Sequence, residues 1–98
     1  MAGQIRITPD VMDQRAGEYR TRESEVNDII SKMDQMLTQL MSEWEGEAAR
    51  SYQGRWQGDL KPSFQRASAL IEEIAVALNK TATILRDTDA QIAAQLRS

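Results

Sequence analysis

The feature that most constrains this chain is an apolar repeat that runs without a slip from Met12 to Trp44 and then stops. Met12, Ala16, Tyr19, Glu23, Val26, Ile30, Met33, Leu37, Leu40 and Trp44 step by four and three. That spacing keeps every member on one stripe of an α-helix and does not fit the two-residue period of a strand. Glu23 is the stripe's one polar member, and Ile29, Met36 and Met41 widen it. A face this wide suits a helix with two neighbours better than a two-stranded coiled coil. The start is marked as clearly. Thr8 is a good N-cap, Pro9 falls where a missing N–H costs nothing, and Asp10 favours the helix dipole. Ile7 and Met12 have the spacing of a hydrophobic staple. We therefore expect a short arm over 1–7 and a first helix over 8–44, roughly 50 Å long at about 1.5 Å per residue.

The repeat stops at Trp44-Glu45-Gly46. Gly46 can take a left-handed conformation that L-residues avoid, and Glu47 suits the first turn of a new helix. A turn as short as 45–46 forces the second helix, expected over 47–96, back antiparallel to the first. Its first third is weak. Tyr52, Trp56 and Leu60 recur every four residues, but Gly54, Gly58 and Pro62 interrupt them. Pro62 should kink the helix or mark a restart capped by Asp59. Beyond it Phe64, Ala67, Ile71, Ile74, Leu78, Thr81, Leu85, Thr88 and Ile92 form a second stripe, with Leu96 one residue off register. The fold class is all-α: a helical hairpin whose seam draws on Val26, Ile30, Met33, Leu37 and Leu40 from one helix and Phe64, Ile71, Ile74 and Leu78 from the other. Two helices bury one face each, so the leftover apolar width predicts a second hairpin and a four-helix bundle. Symmetry makes a homodimer the default, with a heterodimer with a paralogue as the other arrangement.

Composition narrows the function. The 98 residues include no Cys and no His, which removes thiol chemistry, zinc–thiolate sites and the commonest general base. Glu72-Glu73 and Asp87-x-Asp89 are the remaining acidic pairs, and each reads as a solvated helix face. No catalytic residue, metal site or cofactor is assigned, and the chain is not expected to be an enzyme. A net charge of −3 lacks the basic footprint of nucleic-acid binding. No stretch is long and apolar enough for a membrane span, the polar faces lack the Lys/Arg enrichment of a membrane-surface helix, and no cleaved signal peptide is expected. Stable membrane insertion is not expected. What remains is action through protein–protein contacts. Trp44 beside the turn is either end-packing or a docking anchor, with Trp56 expected near it, and the amphipathic segment 85–96 could lie in a partner's groove.

A central Trp-x-Gly at Trp44–Gly46, between two heptad helices in about one hundred residues, resembles the WXG family of bacterial type VII (ESX) secretion. This family includes proteins like the early secreted antigenic target of mycobacteria. Ile5-Arg6-Ile7-Thr8-Pro9 and Leu60-Lys61-Pro62-Ser63-Phe64 are more similar to its Firmicute branch. The actinobacterial Tyr-x-x-x-acid signal is absent after the second helix, and Tyr19 and Glu23 match it only in letters. Leu85, Asp89, Ile92 and Leu96 instead resemble the Firmicute pattern near the C-terminus. The resemblance implies a protein made in the cytoplasm and exported without a cleaved signal peptide, as a folded dimer. It implies recognition by a membrane-anchored secretion ATPase through Trp44, Gly46 and the segment of Leu85, Asp89, Ile92 and Leu96. Larger secreted effectors are implied as further partners, with roles in virulence or bacterial competition. The alternative is a cytoplasmic chaperone-like adaptor that delivers a larger effector.

Overall fold

The computed structural model describes residues 7–97; the first six residues of the arm and Ser98 lie outside it. Helix α1 runs Pro9–Glu43. Thr8 is its N-cap, with an extended backbone and a hydroxyl that accepts from the Val11 N–H at 3.2 Å. Trp44 closes the helix by donating its N–H to the Leu40 carbonyl at 2.7 Å. After Glu45 the chain reverses at Gly46, and α2 begins (Glu47–Arg55). A π-helical turn, Trp56–Leu60, passes without interruption into α3, Lys61–Arg97. The result is a slender hairpin of 77 × 24 × 16 Å, α1 packed antiparallel to α3, with no strand among the described residues.

Pro62 explains the π turn. A regular α-helix needs an N–H at position 62 for the Gly58 carbonyl, and the proline ring would collide with that carbonyl. Widening the preceding turn lets the Lys61 N–H reach back to the Trp56 carbonyl, so the helix passes the proline without a break. Asp59 accordingly caps nothing; its carbonyl accepts from the Ser63 hydroxyl at 3.0 Å. The wide turn also adds about one residue to the repeat. Trp56 faces α1 and is 3% exposed, but Leu60, four residues on, is 48% exposed.

That shift shows along α3. The positions that close onto α1 are Ser68, Ala75 and Ala82, all buried and seven residues apart. Opposite them α1 buries Met12, Ala16 and Ile30. Small side chains let the two helices approach closely. Phe64, Ile71, Ile74, Leu78 and Leu85 flank this contact on one side and are half-buried or exposed, while Ala67 and Ile92 are exposed. On α1, Val26, Met33 and Leu37 are half-buried, whereas Ile29, Met36 and Leu40 are exposed. The hairpin thus has one long apolar side.

Its other side is polar and cross-linked. Asp13, Arg20, Asn27 and Asp34 recur every seven residues along α1 and meet α3. Arg86 donates to Asp13 at 2.7 Å and to Asp10 at 2.6 Å. Asn79 donates to Asp13 at 2.7 Å and accepts from Arg20 at 2.6 Å. The Ser68 hydroxyl donates to Asn27 at 2.8 Å. These contacts align the two helices and satisfy the polar atoms at the edge of the core.

Candidate functional site

The turn end of the hairpin is built in layers. Gly46 has φ 138° and ψ 170°, outside the left-handed helical region expected of it and in a region essentially restricted to glycine. A Cβ there would meet nothing within 4 Å, so backbone conformation and not space demands glycine. Its carbonyl accepts the first helical bond of α2, from the Arg50 N–H at 3.2 Å. Trp44 stays 41% exposed and rests against Tyr52, ring centres 6.2 Å apart. The expected neighbour, Trp56, packs instead on Phe64, 5.8 Å away. Sequence spacing did not separate these pairings: Tyr52 lies in α2, before the π turn, and Phe64 lies in α3, beyond it.

Beneath this aromatic layer lies a cluster that the heptad reading does not single out. Asp34 accepts from the Trp56 indole N–H at 2.8 Å and from the Lys61 ammonium at 2.7 Å. Those two bonds, Lys61 first and then Trp56, hold the Asp34 carboxyl below the usual carboxylate range. Asp34 therefore ties α1 to both sides of the π turn. The signal was present as the polar row Asp13–Arg20–Asn27–Asp34, but polar rows usually face solvent. Further along, Glu23 is half-buried within the seam. Burial, and then the neighbouring Glu72 carboxylate, raise its pKa.

The C-terminal pattern lies at the opposite end of the same chain. Leu85 is half-buried, and Asp89, Ile92 and Leu96 are exposed, Leu96 at 82%. Arg86 sits level with Asp10 and Asp13 at the start of α1. The last eleven residues of α3 therefore project roughly 16 Å at about 1.5 Å per residue, largely past the end of α1. Within one chain the structure does not bring Trp44 and Gly46 to Asp89 and Leu96. Val26, Ile30, Met33, Leu37 and Leu40 line the hairpin's inner and apolar faces, and Met33, Met36, Leu37 and Leu40 form a shallow groove of about 420 Å³ near the turn. No group of three or more acidic, His or Cys side chains is placed to hold a metal among the described residues.

A two-helix hairpin whose reversal is a Trp-x-Gly, with one long apolar side and a C-terminal helix that runs past the start of α1, defines a class of small helical-hairpin proteins. Comparison with known proteins makes the assignment specific. The family model for proteins of 100 residues with WXG (WXG100) matches residues 4–90, and the chain belongs to that family. It is 35% identical over 97 residues to Protein YukE of Bacillus subtilis, covering 99% of each chain. It is 25% identical over 88 residues to the type VII secretion system extracellular protein A of Staphylococcus aureus, 90% of each. Among solved structures, EsxA of Geobacillus thermodenitrificans superposes with a TM-score of 0.84 at 40% identity, over 95% of this chain and 99% of that one. These relatives are Firmicute proteins. No helix among the described residues is long and apolar enough to cross a membrane.

Proposed function

We propose that the protein is a substrate of a bacterial type VII secretion system, exported as a folded homodimer and acting outside the cell through protein–protein contacts. The observation that carries this reading is family membership over nearly the whole chain, with a relative that is itself a type VII extracellular protein. The apolar side supports the dimer. Ile29, Met36, Leu40 and Phe64 are each at least 37% exposed on it, and a second hairpin laid antiparallel on this side would complete a four-helix bundle. In that dimer the turn of one protomer, with Trp44 and Gly46, adjoins the partner's C-terminal helix. Leu85, Asp89, Ile92 and Leu96 then complete a composite surface for the membrane-anchored secretion ATPase. Larger secreted effectors and a role in virulence or competition follow from the same reading.

The test is an immunoblot of culture supernatant and cell pellet, in the native host and in a strain lacking the secretion ATPase, with a lysis control. Supernatant protein that depends on the ATPase is expected. Protein confined to the pellet of both strains would overturn the export reading in favour of the cytoplasmic adaptor. The signal is tested by truncation after Asp87, which keeps Arg86 and its bonds to α1. Normal export of that soluble, helical truncation would remove Asp89, Ile92 and Leu96 from the signal.

A further inference from the structure

Beyond the large residues of the apolar side, α3 carries a further apolar row, which borders that side at Ala77, in one groove with Ile74, Leu78 and Thr81. Leu70, Ala77 and Ile84 recur every seven residues, roughly 150° around the helix from the Ser68–Ala75–Ala82 stripe. Leu70 is 55% and Ile84 62% exposed, and Ala77 is exposed. The back of α1 offers a contrast. Gln14, Thr21, Asp28, Gln35 and Ser42, also seven apart, are all polar and exposed, the usual state of a solvent-facing row. The outer face of α3 departs from it.

The row beside it is charged in an ordered way. Arg66, Glu73, Lys80 and Asp87, again seven apart, alternate plus, minus, plus, minus. All four are exposed. Glu73, Lys80 and Asp87 make no ion pair within the chain among the described residues, and Arg66 bonds only the neutral Ser63 hydroxyl at 2.9 Å. Seven residues along one helix span about 10 Å, too far for these charges to satisfy one another.

We propose that this outer face of α3 binds the same face of a second copy of the chain, in an antiparallel contact with its two-fold axis at Ala77. An antiparallel two-fold keeps each row on the same side of the contact and reverses its order. Leu70 then meets Ile84 of the other copy, and Ala77 meets itself. In the same register Arg66 meets Asp87, and Glu73 meets Lys80. Every apolar residue finds an apolar partner and every charge its opposite, which is the self-complementarity an isologous interface requires. A parallel two-fold would carry the two charged rows to opposite sides of the contact, where they could not pair with each other. Three small-to-medium apolar side chains give a contact below the size of a stable interface, so association is weak and concentration-dependent. Set beside the apolar side that joins the homodimer, a second isologous face links dimers into tetramers or longer rows.

Sedimentation velocity from micromolar to millimolar protein tests this. We expect a mass that rises beyond the homodimer, and Ile84→Glu should abolish that rise while leaving the dimer and the helical circular dichroism intact. Glu73→Lys opposes like charges twice across the two-fold and should move the association midpoint roughly tenfold upward. Glu73→Lys combined with Lys80→Glu restores opposite charges and should return it to the wild-type value. The chain has no Cys, so Ala77→Cys should form a disulfide-linked pair under mild oxidation far faster than Gln35→Cys on the back of α1. The proposal is overturned if the mass stays constant across the range, if the double charge swap fails to rescue, or if the two cysteine variants cross-link equally. It is also overturned if Ile84→Glu yields monomers, which would place the row in the primary interface. A wild-type monomer at low concentration that pairs only through Ala77 would support this face and refute the homodimer reading.

Discussion

Ala75 is buried where α3 packs on α1 and has no exposed surface, so substitution there probes the register of the hairpin directly. Ala75→Leu adds three carbons between α1 and α3. Overpacking of this kind costs typically 1–3 kcal/mol, about 2 kcal/mol here, because the helices must separate or the side chain must leave its rotamer. For a domain of this length each kcal/mol lowers Tm by about 4–8 °C, so a fall of roughly 5–20 °C is expected. The control is Ala69→Leu, which is exposed on the same helix and should change stability by no more than about 0.5 kcal/mol. Both are followed by thermal unfolding at one fixed protein concentration, since any dimer couples its stability to concentration. If Ala67, Ile74 and Thr81 faced α1 instead, Ala75 would sit about 100° away from the contact and leucine would be tolerated. Equal melting of wild type, Ala75→Leu and Ala69→Leu would therefore refute the packing described here.

Other perturbations read the remaining parts of the hairpin. Gly46→Ala meets no atom but must hold φ 138°, so it should cost about 1–3 kcal/mol in thermal unfolding with helical content retained; full wild-type stability would show that the turn relaxes. Glu23 has its pKa raised above 4.5 by burial and Glu72, so its ionisation opposes folding at neutral pH. Glu23→Gln should raise Tm at pH 7, with the gain disappearing as pH falls below about 4.5, where both folded and unfolded chains carry the proton; an equal gain at pH 7 and pH 3.5 would refute a charge effect. Asp34 has the opposite sign. Its pKa is lowered from 3.8 by Lys61 and Trp56, so its contribution is complete above about 3.8 and is lost as pH drops through the folded value. Asp34→Asn should thus melt below wild type at pH 7 and converge with it in acid, and a pH-independent difference would point to packing alone.

Much of this molecule is legible in one dimension. The step of four and three from Met12 to Trp44 can only be a helix with one wet and one dry side. Thr8, Pro9 and Asp10 mark its start, and Gly46 marks a reversal because glycine reaches positive φ, although the conformation it adopts is extended in ψ and not the left-handed helical one expected. Two such helices with a short turn leave the antiparallel hairpin as the natural arrangement, and Trp-x-Gly at its centre pointed to the family. These inferences rest on local physics: hydrophobic period, caps and φ preference act within a few residues.

The packing was decided elsewhere. In α3 the large apolar residues Phe64, Ile71, Ile74 and Leu78 suggested a seam, but α1 packs chiefly on Ser68, Ala75 and Ala82, whose small size allows close approach and gives no hydrophobic signal. The π turn at Trp56–Leu60 advances the repeat by about one residue, so Leu60 turns outward, and Trp44 pairs with Tyr52 of α2 while Trp56 packs on Phe64. Asp34 reads as another surface carboxylate until the fold sets it against the Trp56 indole and Lys61. A pattern of residue types records which side of a helix is apolar. Which part of that side meets its own chain, and which stays exposed, depends on side-chain volumes and helix phase, and only the tertiary structure resolves those.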